Sequence, residues 1–253
     1  KRLGVIPCRY GSSRFPGKPL ADLLGRPMIE HTYRSAIKSN LLQKVYITSD
    51  CDKILDVASS FGAPTIKTST DCKTGTDRVH EAINYLNVRH ELAPNAIVVN
   101  IQGDEPLIRS EHIDTAIHLL EIDANASMST IAVAEMDEKL FLNPNIVKVV
   151  KDRLDNALYF SRSPIPNIQP DRVNKISFLK HIGLYAFRCE FLHRYPCLPE
   201  SDLEKQESLE QLRVLEAGER IKIGIVNGPC YPGVDTPADL AALVKMMKSE
   251  KID

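Results

Sequence analysis

The sequence predicts an α/β fold, a doubly wound and mostly parallel sheet, and three observations carry it. Short apolar runs alternate with segments of helical period through the first 142 residues, which is the signature of βαβ units. The run Ala96-Ile-Val-Val-Asn-Ile101 is almost unbroken in its apolar character, as in a strand buried on both faces. From Asn143 onward the pattern changes to paired strands around a polar turn, so a smaller antiparallel lobe is expected to interrupt the parallel core. The expected organisation is a core over 1–142, a lobe over 143–218 and a return to the core over 219–253.

Leu3 to Ile6 forms the first strand, which ends in a loop bearing Arg9, Arg14 and Lys18 together with Gly11, Pro16, Gly17 and Pro19. Glycines let backbone N–H groups approach an anion closely, and Arg and Lys add charge-assisted hydrogen bonds. The loop follows neither established phosphate-loop pattern, and it reads equally as a solvated basic turn. Pro27 suits a first helical turn, followed by Met28, Ile29, Tyr33 and Ile37 at helical spacing. Val45–Ser49 is a second strand, with Asp50 as cap and Ile54, Val57, Ala58 and Phe61 as the apolar face of a helix stopped at Gly62. Thr65–Lys67 is a short third strand. Thr76 is placed to cap a helix through Val79, Ala82, Ile83 and Leu86.

After the buried strand at 96–101 comes Gln102-Gly-Asp-Glu-Pro106, then a helix opening near Ser110 and a strand over Met128–Ala134. Val147–Val150 and Ala157–Ser161 flank the turn Asp152–Asn156 as a hairpin. A polar stretch, Asn167 to Lys175, precedes the strand His181–Phe187. This excursion suits either a dimerisation lobe or a lid. A helix through Leu209, Leu212 and Leu215 ends at Gly218. Ile221–Val226 returns to the sheet, and Gly233-Val-Asp-Thr-Pro237 opens a last helix through Leu240, Leu243, Val244 and Met247.

The balance of 32 basic and 33 acidic residues gives no global attraction for nucleic acid or a membrane surface, so an anion site must be made locally. Six cysteines at no zinc-like or C-x-x-C spacing, in 253 residues with 43% hydrophobic content, suit a reduced cytoplasmic protein. No apolar run approaches the roughly 20 residues that span a bilayer, and the start is unlike a signal peptide.

Several residues invite chemistry. Asp104 follows a buried strand and Asp235 precedes a helix. In an open α/β sheet, loops beyond the carboxyl ends of the strands form the ligand site, and two carboxylates there suit Mg²⁺ on a nucleotide. Asp104 reads also as a turn residue, and Asp235 or Thr236 as a helix cap, with Pro237 at the first helical position and Asp239 completing the pattern; spacing alone favours the cap reading for Asp235. Arg162, stiffened by Pro164 and Pro166, suits a carboxylate or a surface ion pair. Alternation puts His181, Gly183 and Tyr185 on one strand face, either lining a pocket or serving structure. Glu210 and Gln211 flank the leucine stripe and read locally as solvent-exposed. Cys8 has no histidine partner in sequence and reads as a packing residue whose backbone N–H matters more than its thiol.

Seven stretches, in order, resemble the 3-deoxy-manno-octulosonate cytidylyltransferase (CMP-Kdo synthetase) family. They are Ile6-Pro-Cys-Arg-Tyr-Gly-Ser-Ser-Arg-Phe-Pro-Gly-Lys-Pro-Leu20, Thr74-Gly-Thr-Asp-Arg78, Asn100-Ile-Gln-Gly-Asp-Glu-Pro106, Leu158-Tyr-Phe-Ser-Arg-Ser-Pro-Ile-Pro166, Lys180-His-Ile-Gly-Leu-Tyr-Ala-Phe-Arg188, Leu209-Glu-Gln-Leu-Arg213 and Gly233-Val-Asp-Thr-Pro237. The resemblance runs from Leu3 to about Leu243. It implies a Rossmann-like nucleotidyltransferase fold, a cytoplasmic homodimer pairing through the second lobe, Mg²⁺ as cofactor, and the reaction of CTP with Kdo to give CMP-Kdo and diphosphate for lipopolysaccharide or capsule. By the same resemblance Arg9, Lys18, Asp104 and Asp235 are catalytic, with Asp104 and Asp235 on the metal, which reverses the spacing-only preference for a cap. Pro7, Cys8, Arg9, Arg14, Lys18, Thr74, Gly75, Arg78, Gln102 and Gly103 hold the nucleotide. Gln102, Arg162, His181, Tyr185, Glu210 and Gln211 hold the sugar acid, Arg162 at its carboxylate.

Cys8 stands where the family usually has Ala, Thr74 where Ser is frequent, and the segment after Pro166 is variable. CMP-sialate synthetases share a glycine- and lysine-containing opening loop, but the arginines here and Ser163-Pro-Ile-Pro166 point away from them. The alternatives are the same reaction on 8-amino-Kdo or another sugar acid, and a CTP-binding regulator without catalysis.

Overall fold

In the computed structural model, strand β1 (Arg2–Cys8) is buried along nearly its whole length and has parallel neighbours on both sides, as in the interior of a covered parallel sheet. The structure describes residues 1–11, 14–89, 92, 95–169, 176–228, 230–231 and 233–250. The chain divides into two compact units, residues 1–113 with 230–253, and residues 114–229. The boundaries read from the sequence, at 142 and 218, are displaced. Strand β7, expected in the core, pairs with strands of the second unit, and so does the strand expected to return.

In the first unit β1 is followed by two short strands, β2 (Asp22–Leu23) and β3 (Arg26–Pro27), then α1 (Met28–Ala36), β4 (Lys44–Ser49), α2 (Asp52–Ser60), β5 (Thr65–Lys67), α3 (Gly75–Val88) and β6 (Ile97–Asn100). The strand order is β6-β1-β4-β5, all parallel. Helix α1 packs against β4, α2 against β4 and β5, and α3 against β1, β4 and β6. Two expected caps move. Thr74, not Thr76, caps α3 in a reciprocal box with Asp77, because its extended backbone directs the hydroxyl at the Asp77 N–H, 3.1 Å away. Cys51 occupies the cap position of α2, and the Asp50 carboxylate lies 3.5 Å from the Arg78 guanidinium instead.

Helix α4 (Ser110–Ile122) carries the chain into the second unit. There follow β7 (Met128–Glu135), α5 (Glu138–Leu142), β8 (Lys148–Lys151), β9 (Ala157–Ser161), β10 (Phe178–Arg188), α6 (Cys189–Arg194), α7 (Asp202–Glu207), α8 (Gln211–Glu216) and β11 (Ile221–Ile225). β11 lies parallel to β7, while β7–β10, β10–β8 and the hairpin β8–β9 are antiparallel. Gly224 lets α4 approach β11. A Cβ there would stand 2.7 Å from the Thr115 methyl. Of the polar stretch 167–175, residues 170–175 lie outside the described residues. The helix expected through Leu209, Leu212 and Leu215 is found as α8, which begins only at Gln211, and Ser208 at φ +52° ends the preceding α7.

Helix α9 (Pro237–Glu250) belongs to the first unit. Leu243 and Met247 pack with Val234, Leu23 and Met28, and Phe15, Leu107 and Leu240 close over them. This small core pulls the loop before α9 onto the opening loop.

Candidate active site

The opening loop folds back after β1. Gly17 N–H donates to the Tyr10 carbonyl at 3.0 Å, and Gly17 itself, at φ +70°, turns the chain into a tight helical turn beginning at Lys18. The Lys18 side chain is 14% exposed, with its ammonium 2.6 Å from Asp104 Oδ2 and 3.4 Å from Asp235 Oδ1. The Arg14 guanidinium reaches the same Asp235 oxygen at 3.2 Å. Residues distant in sequence thus converge within the first unit.

Each partner is anchored by backbone. Val234 N–H donates to the Asp104 carbonyl at 2.9 Å, which stitches the two carboxylate-bearing loops together. Thr32 and Ser35 on α1 donate to the Gly103 and Pro106 carbonyls and hold the loop after β6 from below. Gly103 is required by space. A Cβ there would stand 2.9 Å from Cys8 Sγ and 3.1 Å from the Pro7 carbonyl. Thr236 and Asp239 bond reciprocally to cap α9, Asp239 Oδ2 accepting from Thr236 N at 2.8 Å and Thr236 Oγ1 accepting from Asp239 N at 3.2 Å. The cap that spacing favoured at Asp235 is therefore at Thr236. The Asp235 carboxylate is left to face Lys18 and Arg14.

Burial, and then the Asp104 charge, push the Cys8 thiol far up, so it stays protonated and is no nucleophile. Burial and Asp104 likewise raise Glu105 to about 8. Arg9 is exposed at the end of β1, and Gln102 is half-buried. Thr74 and Gly75 open α3, with Gly75 against Pro7. Arg78 is 4% exposed. It donates to Thr68 Oγ1 at 2.5 Å and the Ser69 carbonyl at 3.2 Å, and its charge faces Asp50, so it braces the loop before α3 from inside.

In the second unit, three of the five Arg162 N–H groups donate to the carbonyls of Glu207, Pro144 and Ser208, and its backbone N–H donates to the Glu207 carboxylate at 2.9 Å. Buried His181 lies at an edge to Phe160 and 5.5 Å from the Tyr185 ring, on one strand face as alternation required. Burial lowers its pKa to about 3, so the imidazole is neutral. Glu210 is exposed at the start of α8. Gln211, expected in solvent on local grounds, is 4% exposed, and its Nε2 has no hydrogen-bond partner among the described residues.

Asn100, 1% exposed at the end of β6, was not singled out as a site residue. Its Oδ1 has no partner among the described residues, and its Nδ2 faces Gly75. The signal was present as one amide in an otherwise apolar run.

A family profile described as cytidylyltransferase matches residues 3–221. The 3-deoxy-manno-octulosonate cytidylyltransferase of Thermodesulfovibrio yellowstonii is 45% identical over 250 residues, 97% of each chain. That of Halorhodospira halophila is 43% identical, covering 98% of this chain and 97% of its own. This chain belongs to the 3-deoxy-manno-octulosonate cytidylyltransferase family. A solved cytidylyltransferase, CMP:2-keto-3-deoxy-manno-octonic acid synthetase complexed with CTP, is 40% identical and superposes over 99% of both chains at a TM-score of 0.89. A 4-diphosphocytidyl-2C-methyl-D-erythritol synthase from Anaerococcus prevotii, at 15% identity and a TM-score of 0.62, shares the fold. As a member of the cytidylyltransferase family the chain is a nucleotidyltransferase.

Proposed function

We propose that this chain joins CTP and Kdo to give CMP-Kdo and diphosphate. The observation that carries the reading is the Lys18 ammonium held between the Asp104 and Asp235 carboxylates at the mouth of the opening loop. A cation shared between two partly solvated acids adds little stability, and it suits a site that must handle a triphosphate and its counter-cation together. The chain's nucleotidyltransferase family and its likeness to a CTP-bound enzyme support the choice of nucleotide.

The anomeric hydroxyl oxygen of Kdo forms a bond to the α-phosphorus of CTP, the bond from that phosphorus to the bridging oxygen breaks, and diphosphate leaves. The hydroxyl proton goes to solvent. Lys18, Arg14 and Arg9 offset negative charge on the phosphate oxygens as it shifts toward the leaving group. The two carboxylates fit a hard divalent cation, since they offer oxygen donors alone and already converge on one positive charge. Mg²⁺ held by Asp104 and Asp235 would supply charge neutralisation on the triphosphate. Buried, protonated Cys8 contributes its backbone, and Thr74, Gly75 and Asn100 line the end of β6 where the nucleotide base is assigned.

The sugar acid is assigned to Gln102, Arg162, His181, Tyr185, Glu210 and Gln211. The buried, unpaired Gln211 Nε2 supports this, because such a donor is stabilised by a ligand hydroxyl. Arg162 keeps two N–H groups beyond its three carbonyl bonds for the carboxylate. The reading extends to a cytoplasmic homodimer serving lipopolysaccharide or capsule. Leu154 and Leu158, 71% and 60% exposed on the β8–β9 hairpin, support pairing through the second unit. No described helix is long and apolar enough to cross a membrane.

Diphosphate release from CTP and Mg²⁺, with and without Kdo, tests the reading. Release that requires Kdo is the expected result. No release despite calorimetric binding of CTP and Kdo would refute it.

A further inference from the structure

We propose that Thr130 holds His181 as its Nε2–H tautomer, so that Nδ1 presents a hydrogen-bond acceptor to a hydroxyl of the sugar acid. The inference rests on the assignment of His181 to the sugar site.

The argument is a proton count on one hydroxyl. Thr130, fully buried in β7, has its Oγ1 2.9 Å from His181 Nε2, 2.7 Å from the Leu184 carbonyl and 3.0 Å from the Ile182 carbonyl. A hydroxyl carries one proton, and a carbonyl oxygen can only accept. If that proton went to the imidazole, two carbonyl oxygens would face a hydroxyl oxygen at close range with no proton between them. The proton therefore goes to a carbonyl, the closer Leu184 oxygen being the better placed. The Thr130 oxygen then accepts from Nε2–H, and the lone pair of the neutral ring is left on Nδ1.

The backbone makes this arrangement possible. The β7–β10 register slips between Ile182 and Tyr185, with Ile182 opposite Ile131 and Tyr185 opposite Thr130. The two extra residues, Gly183 and Leu184, form a bulge that turns two carbonyls toward one hydroxyl. Phe160 and Tyr185 pack against the ring, which restricts its rotation. His181 keeps 9% of its surface exposed, and its Nδ1 makes no hydrogen bond among the described residues. An acceptor fixed in this way favours a ligand hydroxyl and disfavours a second acceptor such as a carboxylate oxygen. Thr130 is thus a positioning residue acting through His181.

The test uses protein labelled with ¹⁵N at histidine, with the His181 signals identified by their loss in His181→Gln. The wild-type spectrum should show a protonated Nε2 and an unprotonated Nδ1. Kdo with CTP and a chelator, which prevents turnover, should shift the Nδ1 signal. Thr130→Val should mix the tautomers and raise KM for Kdo about tenfold with little change in kcat, while Thr130→Ser restores both readouts. A protonated Nδ1 in the wild-type protein overturns the inference whether or not any variant folds. An unchanged KM in Thr130→Val, or a loss that Thr130→Ser does not restore, also overturns it. An Nδ1 signal unmoved by Kdo beside an intact Nε2–H removes the sugar contact, and the failure then belongs to the role assigned to His181.

Discussion

Replacing Lys18 with methionine separates catalysis from stability. The ammonium lies 2.6 Å from Asp104 and 3.4 Å from Asp235, in a side chain 14% exposed. A unit charge about 4 Å from a developing phosphate charge, at an effective dielectric constant near 20, is worth about 4 kcal/mol. Ground-state CTP already shares part of that attraction, so kcat should fall ~10²–10³-fold. The two carboxylates, no longer neutralised by the ammonium, should saturate at lower Mg²⁺. Stability should move little, because the carboxylates remain partly solvated and such pairs contribute about 0–1 kcal/mol each. For the two pairs together that corresponds to a Tm change of no more than about 8 °C for a chain of this size. The assay is diphosphate release at saturating CTP and Kdo across a Mg²⁺ titration, with a thermal melt of the same sample. A kcat within about threefold of the parent, with an unshifted Mg²⁺ curve, would remove Lys18 from the charge-neutralising role.

Thr236→Ala should lower stability by about 1 kcal/mol through loss of the α9 cap, read as a Tm decrease of about 2–4 °C. Asp235→Asn should leave Tm nearly unchanged yet remove most turnover, and the opposite pattern in this pair would return the capping role to Asp235. Burial lowers the His181 pKa to about 3 in the folded chain against 6.5 ordinarily, so between those values the unfolded chain binds the extra proton and stability rises with pH. Its contribution is complete above pH 6.5 and is lost as the pH drops toward 3. Urea melts of His181→Gln should show a shallower acid limb, by up to about 1.4 kcal/mol per pH unit, and parallel limbs for the two proteins would show that His181 is accessible to protons.

The parallel part of the fold was legible because its signals are local. A strand buried on both faces must be apolar throughout, and 96–101 declared itself in that way, as did the Gly62 stop and the hairpin turn at 152–156. What escaped was decided by pairing. β7 reads as an ordinary strand, and nothing in its residues says that β10 and β11 will flank it. The end of α7 at Ser208 was hidden because a left-handed backbone leaves no mark in a serine.

The site was legible in its residue types and much less so in their allegiance. Asp235 and Thr236 both fit a capping pattern, and sequence order does not distinguish a carboxylate that caps its own helix from one released when its neighbour does so. The decision comes from Val234, whose buried side chain and bond to the Asp104 carbonyl fix the direction of the next residue. The arginines show the converse. Arg14 carries its charge at the surface beside Asp235, whereas Arg78 is enclosed by Thr68, Ser69 and Asp50, and Arg162 is largely taken up by backbone carbonyls. A guanidinium committed to carbonyls keeps its charge while losing its freedom. Arg162 can therefore offer a carboxylate a preset direction, whereas Arg78 is left to brace the loop before α3.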